Sequence, residues 1–106
     1  MNVSQLPTVG RILHAYSTLW SGPRPAIVSN AFPGSCFANV NVLFDGANDT
    51  AALAEVRRSP HGNTFPSVGV FDPQSADERQ RALNSAIPRL FGEQDIKIIC
   101  EWPPRS

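Results

Sequence analysis

Turn-forming residues are spread so evenly along this chain that no long element fits between them. Ten prolines and seven glycines in 106 residues interrupt it at Pro7, Gly22-Pro23, Pro33-Gly34, Asp45-Gly46, Ser59-Pro60, Pro73, Pro88 and Gly92. Proline lacks a backbone donor and glycine accepts positive φ, so such positions favour turns over element interiors. What lies between them is a series of short apolar segments.

Most of these segments read as strands. Val9–Tyr16 is the first and Pro25–Phe32 the second, with Pro25 tolerable only at its start. Pro33-Gly34-Ser35 between two apolar runs is a hairpin signal. In the third strand Val40, Val42 and Phe44 alternate with Asn39, Asn41 and Asp45. Asp49 ahead of an alanine-rich stretch that ends in Arg57-Arg58 predicts a short helix or helical turn over 51–58. Phe65–Phe71 is a weaker fourth strand, interrupted by Pro66 and Gly69.

Ser75-Ala76-Asp77-Glu78 matches a capping box and predicts a helix over Ala76–Ala86, with Leu83 and Ile87 on one face and Arg79 and Gln80 solvated. A last strand, Ile96–Trp102, carries Ile96, Ile98, Cys100 and Trp102 toward the core. The expected fold is a single mainly β domain, a small antiparallel and partly open β-barrel with one helical insertion at 75–93.

Charge and motif content narrow the function classes. Nine basic side chains balance nine acidic ones and Lys97 is the single lysine, which argues against bulk nucleic-acid binding. No apolar run approaches the roughly 20 residues of a membrane span, and the N-terminus lacks the pattern of a signal peptide. Cys36 and Cys100 form no CxxC pair and are expected as free thiols of a reducing compartment. Together with His14 and His61 they show no chelating spacing, so neither a metal nor a cofactor is expected.

A phosphate loop and a nucleophile elbow are both missing from the sequence. A thiol dyad of Cys36 with His14 or His61 competes with the commoner buried structural cysteine. Asp45, Asp49 and Asp72 each adjoin a turn residue, where an aspartate bonds its own backbone. No catalytic residue emerges, and the chain is expected not to be an enzyme.

The candidate ligand-binding residues are Arg11, His14, Arg24, Trp102 and Arg105. In Trp102-Pro103-Pro104-Arg105 two prolines stiffen the exit from the last strand and project an arginine at low entropic cost. Tryptophan and arginine are enriched at binding hot spots, and a guanidinium offers a fork for carboxylate or phosphate. Against this, Trp102 could simply plug a barrel end. Arg11, Arg24 and Arg105 gather at one rim if the first, second and last strands adjoin. His14, inside the first strand, is a candidate anion contact.

Pro7–His14, Pro25–Val28, Val40–Gly46 and Trp102–Arg105 together resemble a family of small phage and prophage proteins. Members begin with a PTVGRIVH-like strand and end in a Trp-Pro-Pro-Arg tail. The chain departs from that pattern between Ser67 and Gln94, where family members are shorter, so the helix from Ala76 reads as an insertion. The resemblance implies a phage origin and a place in the host bacterial cytoplasm, and it carries over no catalytic site.

The reading that follows is a non-enzymatic phage accessory protein acting by binding and sequestration, in counter-defence. Its partner would be a host protein or a small anionic, nucleotide-like ligand. A homo-oligomer is expected, since short barrel edges pair between subunits. The alternative is a virion structural component, such as a decoration, tail or head-completion protein.

Overall fold

The computed structural model describes residues 5–104. Its order is β1 (Ile12–Ser17), β2 (Arg24–Ala31), β3 (Phe37–Val42), α1 (Thr50–Arg58), β4 (Thr64–Phe71), α2 (Ala76–Ser85), β5 (Arg89–Phe91), β6 (Gln94–Ile96) and β7 (Ile98–Glu101). Strands β1-β2-β3-β4-β7 form a closed barrel, and β5-β6 make a separate two-stranded sheet. The mainly β, small-barrel architecture expected from the turn spacing is therefore present.

Two details differ from that expectation. The barrel is closed rather than partly open, and its closing pair is parallel, with Val70 opposite Cys100 and Phe71 opposite Glu101. A parallel pair needs a crossover of a dozen or more residues. The segment carrying α2 and the β5-β6 hairpin supplies it. Helix α1 is the first of the two alternatives, short helix or helical turn, expected after Asp49, so the described residues hold two helices.

Alternation fills the barrel. Leu13 and Ala15 from β1, Ala26 and Val28 from β2, Ala38, Val40 and Val42 from β3, and Cys100 from β7 are all fully or almost fully buried. The three alanines, one on each of β1, β2 and β3, suit the narrow bore of a five-stranded barrel.

Strand β4 breaks the period: Phe65, Val68 and Val70 point inward, a spacing of three and then two. The register explains it. Val40 faces Phe65 while Ala38 faces Val68, so β4 carries one extra residue in a β-bulge at Pro66-Ser67. Pro66 is tolerated there because a bulge leaves a ladder position unpaired. Ser67 takes φ +53°, a left-handed conformation that stores strain in a non-glycine residue. Its N–H is held by Asn39 Oδ1 at 2.9 Å.

The ends of the barrel are covered by different devices. Helix α1 and the β5-β6 hairpin close one end through an aromatic cluster, in which Phe91 lies 4.9 Å from Phe65 and 6.3 Å from Phe44, with Trp20 5.1 Å from Phe44. Buried Glu55 ties the two together: its carboxylate accepts from Arg58 Nη1 at 2.7 Å and from the Glu93 backbone N–H at 2.6 Å. Gly92 lies so close to this carboxylate that a Cβ would sit 2.5 Å from Glu55 Oε2, and its φ of +63° suits the two-residue hairpin turn.

Helix α2 lies on the outside of β7, burying Ala82 and Leu83 against Ile99. Its capping box is formed: Glu78 N–H donates to Ser75 Oγ at 3.2 Å and Ser75 N–H to Glu78 Oε1 at 3.1 Å. The Glu78 carboxylate, accepting the Ser75 backbone N–H, is held below the usual carboxylate pKa.

Two expectations for this helix fail. Arg79 is not solvated; it forms a two-pronged ion pair with buried Glu101, Nε to Oε2 at 2.7 Å and Nη2 to Oε1 at 3.0 Å, and its guanidinium carbon lies 4.0 Å from the Tyr16 ring centroid. Ile87 does not continue the Leu83 face. The helix stops at Ser85, Ala86 is extended, and Ile87 is 77% exposed, because a residue preceding proline is driven out of helical geometry.

The expected last strand is also divided. Ile96 pairs with Arg89 in the hairpin, whereas Ile98 pairs with Ser17 in the barrel. All four residues assigned to its core face are buried nonetheless. Among the described residues no helix is long and apolar enough to cross a membrane.

Candidate functional site

Of the five residues singled out in the sequence, the four that the structure describes do not form one site. Arg11 and Trp102 do meet: the Arg11 guanidinium carbon lies 4.9 Å from the Trp102 ring centroid. They meet because β1 runs between β2 and β7, and the residue after Glu101 falls beside the start of β1. Trp102 is 4% exposed, its N–H donates to Phe71 O at 2.9 Å, and its indole Nε1 is buried with no partner. The ring therefore serves as a plug, and the outward cation already covers a face of it.

His14 lies half-buried on β1, with Pro25 and Glu101 as its neighbours across the strands. Arg24 is remote from Arg11, since its strand position faces Ala15 rather than the start of β1. Its guanidinium is fully engaged: Nε and Nη2 each donate to Asp49 at 2.7 Å, and Nη1 donates to the Ser21 and Pro23 carbonyls. The Arg24 partner holds the Asp49 carboxyl below its usual pKa, with the Asp45 N–H adding to the effect. Arg24 is thus a structural tie between β2 and α1. Arg105 lies outside the described residues.

The two cysteines differ in exposure, Cys36 being half-buried and Cys100 enclosed. Cys36 and Cys100 are both free, and burial pushes the Cys100 thiol up to about 12, so it stays protonated at neutral pH. Asp45 behaves as its turn position predicts, accepting from Ala47 N–H at 2.9 Å and Asn48 Nδ2 at 2.7 Å. Among the described residues no cluster of three His, Cys, Asp or Glu side chains could hold a metal.

A site that the residue-by-residue reading missed lies where α2, β4 and the start of β5 converge. A groove of about 280 Å³ opens there, its walls made by Phe37, Phe71, Ile87, Ile98 and Ile99, with Arg89 the single charged residue lining it among the described residues. Gly69 forms part of the floor: a Cβ on it would stand 3.1 Å from the Phe71 ring and 3.6 Å from the Phe37 ring, so the absence of a side chain keeps the space clear. Phe37 and Ile87, 47% and 77% exposed, give the rim an apolar character.

The bulge in β4 positions the cation. It directs the Pro66 and Ser67 carbonyls to Arg89, which donates to Pro66 O from Nη1 and to Ser67 O from Nη2 at 3.1 Å. Each terminal nitrogen keeps one further N–H. Nε is buried and has no partner. Among the described residues no carboxylate pairs with Arg89, whereas Arg24, Arg58 and Arg79 each have one. Burial pushes its pKa below the ordinary arginine value, though a guanidinium remains charged at neutral pH. A half-buried cation solvated by two carbonyls and facing apolar walls is favourable terrain for an anion.

Arg11 offers a weaker case because it is exposed, and water already solvates its charge. A signal for Arg89 existed in the sequence: it is the one charged residue in Ala86-Ile87-Pro88-Arg89-Leu90-Phe91, an apolar run without an acidic neighbour until Glu93. Comparison of the chain with protein-family models, with curated proteins and with solved structures finds no match.

Proposed function

We propose that this protein is a binding protein that captures a small anion in the Arg89 groove and withholds it from other partners, with no chemistry of its own. The observation that carries this reading is a half-buried guanidinium that has no carboxylate partner among the described residues and lines an apolar groove. Binding sites of this kind are concave, mostly apolar and supplied with a few placed polar groups. Sequestration asks only for affinity, and a small closed barrel is a rigid frame for it.

The phage resemblance supplies the setting of the proposal. The protein would be an accessory factor in the host bacterial cytoplasm, removing a small anionic signal in counter-defence, and working as a homo-oligomer. Arg89 takes the central role that Arg11, Arg24 and the Trp102-to-Arg105 tail held in the sequence-based set, since Arg24 is neutralised and Trp102 is enclosed.

Thermal unfolding across a panel of carboxylates, phosphates and nucleotides tests the reading. A true ligand present at about 100 times its Kd adds about 2.7 kcal/mol of stability, and the gain should vanish in Arg89→Met. A panel in which no anion raises the Tm at millimolar concentration would remove the proposal.

A further inference from the structure

The Arg89 groove has a chemistry narrow enough to name its ligand class, an inference that rests on the binding role proposed above. We infer that it takes a small molecule with an apolar body and a single carboxylate, the carboxylate on Arg89 and the body between the Phe37 and Phe71 rings and the wall of Ile98 and Ile99.

Charge comes first. Among the described residues the groove is lined by one cation and no acid, so one negative charge balances it. A phosphate monoester carries about −1.5 to −2 near neutral pH and would leave excess charge against apolar walls. The donor count agrees. Arg89 has spent one N–H of each terminal nitrogen on the bulge carbonyls and retains one on each, so it has few donors left and suits an anion with few oxygens.

Size and polarity follow. About 280 Å³ lies just under the roughly 300–1,000 Å³ of sites for drug-sized ligands, which favours a short chain or a single ring. Beyond Arg89 the only polar side chains among the described residues lining the groove are Ser67 and Ser85, so a sugar or a base with many polar edges would lose more hydrogen bonds to water than two hydroxyls return. The bulge is the device that makes the site: one extra residue in β4, strained at Ser67, aims two carbonyls that hold the guanidinium at the mouth of the groove.

Calorimetric titration of the full chain with octanoate, octanol, acetate and octyl phosphate separates the contributions. Octanoate should bind, with octanol, acetate and octyl phosphate each at least tenfold weaker. Arg89→Met should lower octanoate affinity at least tenfold and leave octanol unchanged. Ser85→Asp, a substitution on the exposed rim, should weaken octanoate through repulsion and serves as the check if Arg89→Met does not fold. Octyl phosphate or a nucleotide binding more tightly than octanoate, and losing that affinity in Arg89→Met, would overturn the carboxylate assignment while leaving the anion-binding role intact. Absence of binding by every anion would overturn both. Octanol matching octanoate would show an apolar groove indifferent to charge and would also overturn the inference.

Discussion

Replacing Arg79 with alanine should destabilise the protein by about 3–5 kcal/mol, the usual cost of stranding one member of a buried ion pair. Glu101 is 2% exposed and sits on the strand that closes the barrel. Its two carboxylate oxygens are held by Arg79 Nε and Nη2, with a longer contact from the Gln74 N–H at 3.4 Å. Removing the guanidinium leaves a charge in an apolar setting between β7 and α2. It also removes the cation from the face of Tyr16, whose pKa is raised by burial. Urea unfolding should show the loss as a lower midpoint at unchanged slope. The double variant Arg79→Ala, Glu101→Gln should recover a large part of it, because the stranded charge is gone. A single variant as stable as the parent would mean that α2 is held by Ala82 and Leu83 alone.

Phe91→Ala should cost a similar amount, about 3–5 kcal/mol, the range for deleting a buried phenylalanine side chain. Phe91 is 2% exposed and joins the hairpin to the barrel through Phe65 and Phe44. The loss should concentrate in the β5-β6 hairpin, where amide hydrogen exchange should accelerate more than in β1 to β3. Arg89 belongs to the same strand, so ligand affinity should fall in parallel. Leu90→Ala, one residue away and 72% exposed, is the matched control and should shift stability by less than about 0.5 kcal/mol. Equal effects at the two positions would show that the hairpin does not depend on the aromatic cluster.

The pattern of these effects marks which parts of the molecule were legible in the chain. The turn residues and the alternation through Val40 and Val42 report local geometry, and they place β1 to β4 and β7 to within a few residues, whereas β5 lies inside the segment expected as a helical insertion at 75–93. The capping box at Ser75 and Glu78 is likewise local, and α2 begins where it predicts. What the sequence hid is pairing over distance. Nothing near Val70 or Cys100 states that their strands run parallel, since this depends on how the 26 residues between Phe71 and Ile98 travel.

The site was hidden for the same reason. Arg79 reads as a solvent-facing helix residue until β7 brings Glu101 beneath it. Arg24 looks free until α1 brings Asp49. Arg89 looks ordinary until every other half-buried arginine is found to have a carboxylate and it is not. The Trp102 tail drew attention because its composition is that of a binding hot spot, but the enclosed indole and the Arg11 cation over it account for the pair structurally. Composition points to residue types suited to anion recognition, and topology decides which half-buried arginine has no carboxylate among the described residues.

The central claim is that Arg89 is a sheltered cation awaiting an anion, and the nitrogen–proton correlation spectrum of the arginine side chains reads it directly. Arg89 Nε–H is buried and should give a slowly exchanging resonance, unlike that of exposed Arg57. Saturation with octanoate should move the Arg89 signal while leaving Arg24 and Arg79 in place. An Arg89 resonance that exchanges as quickly as Arg57 and is unmoved by octanoate or any other anion of the panel would contradict the account.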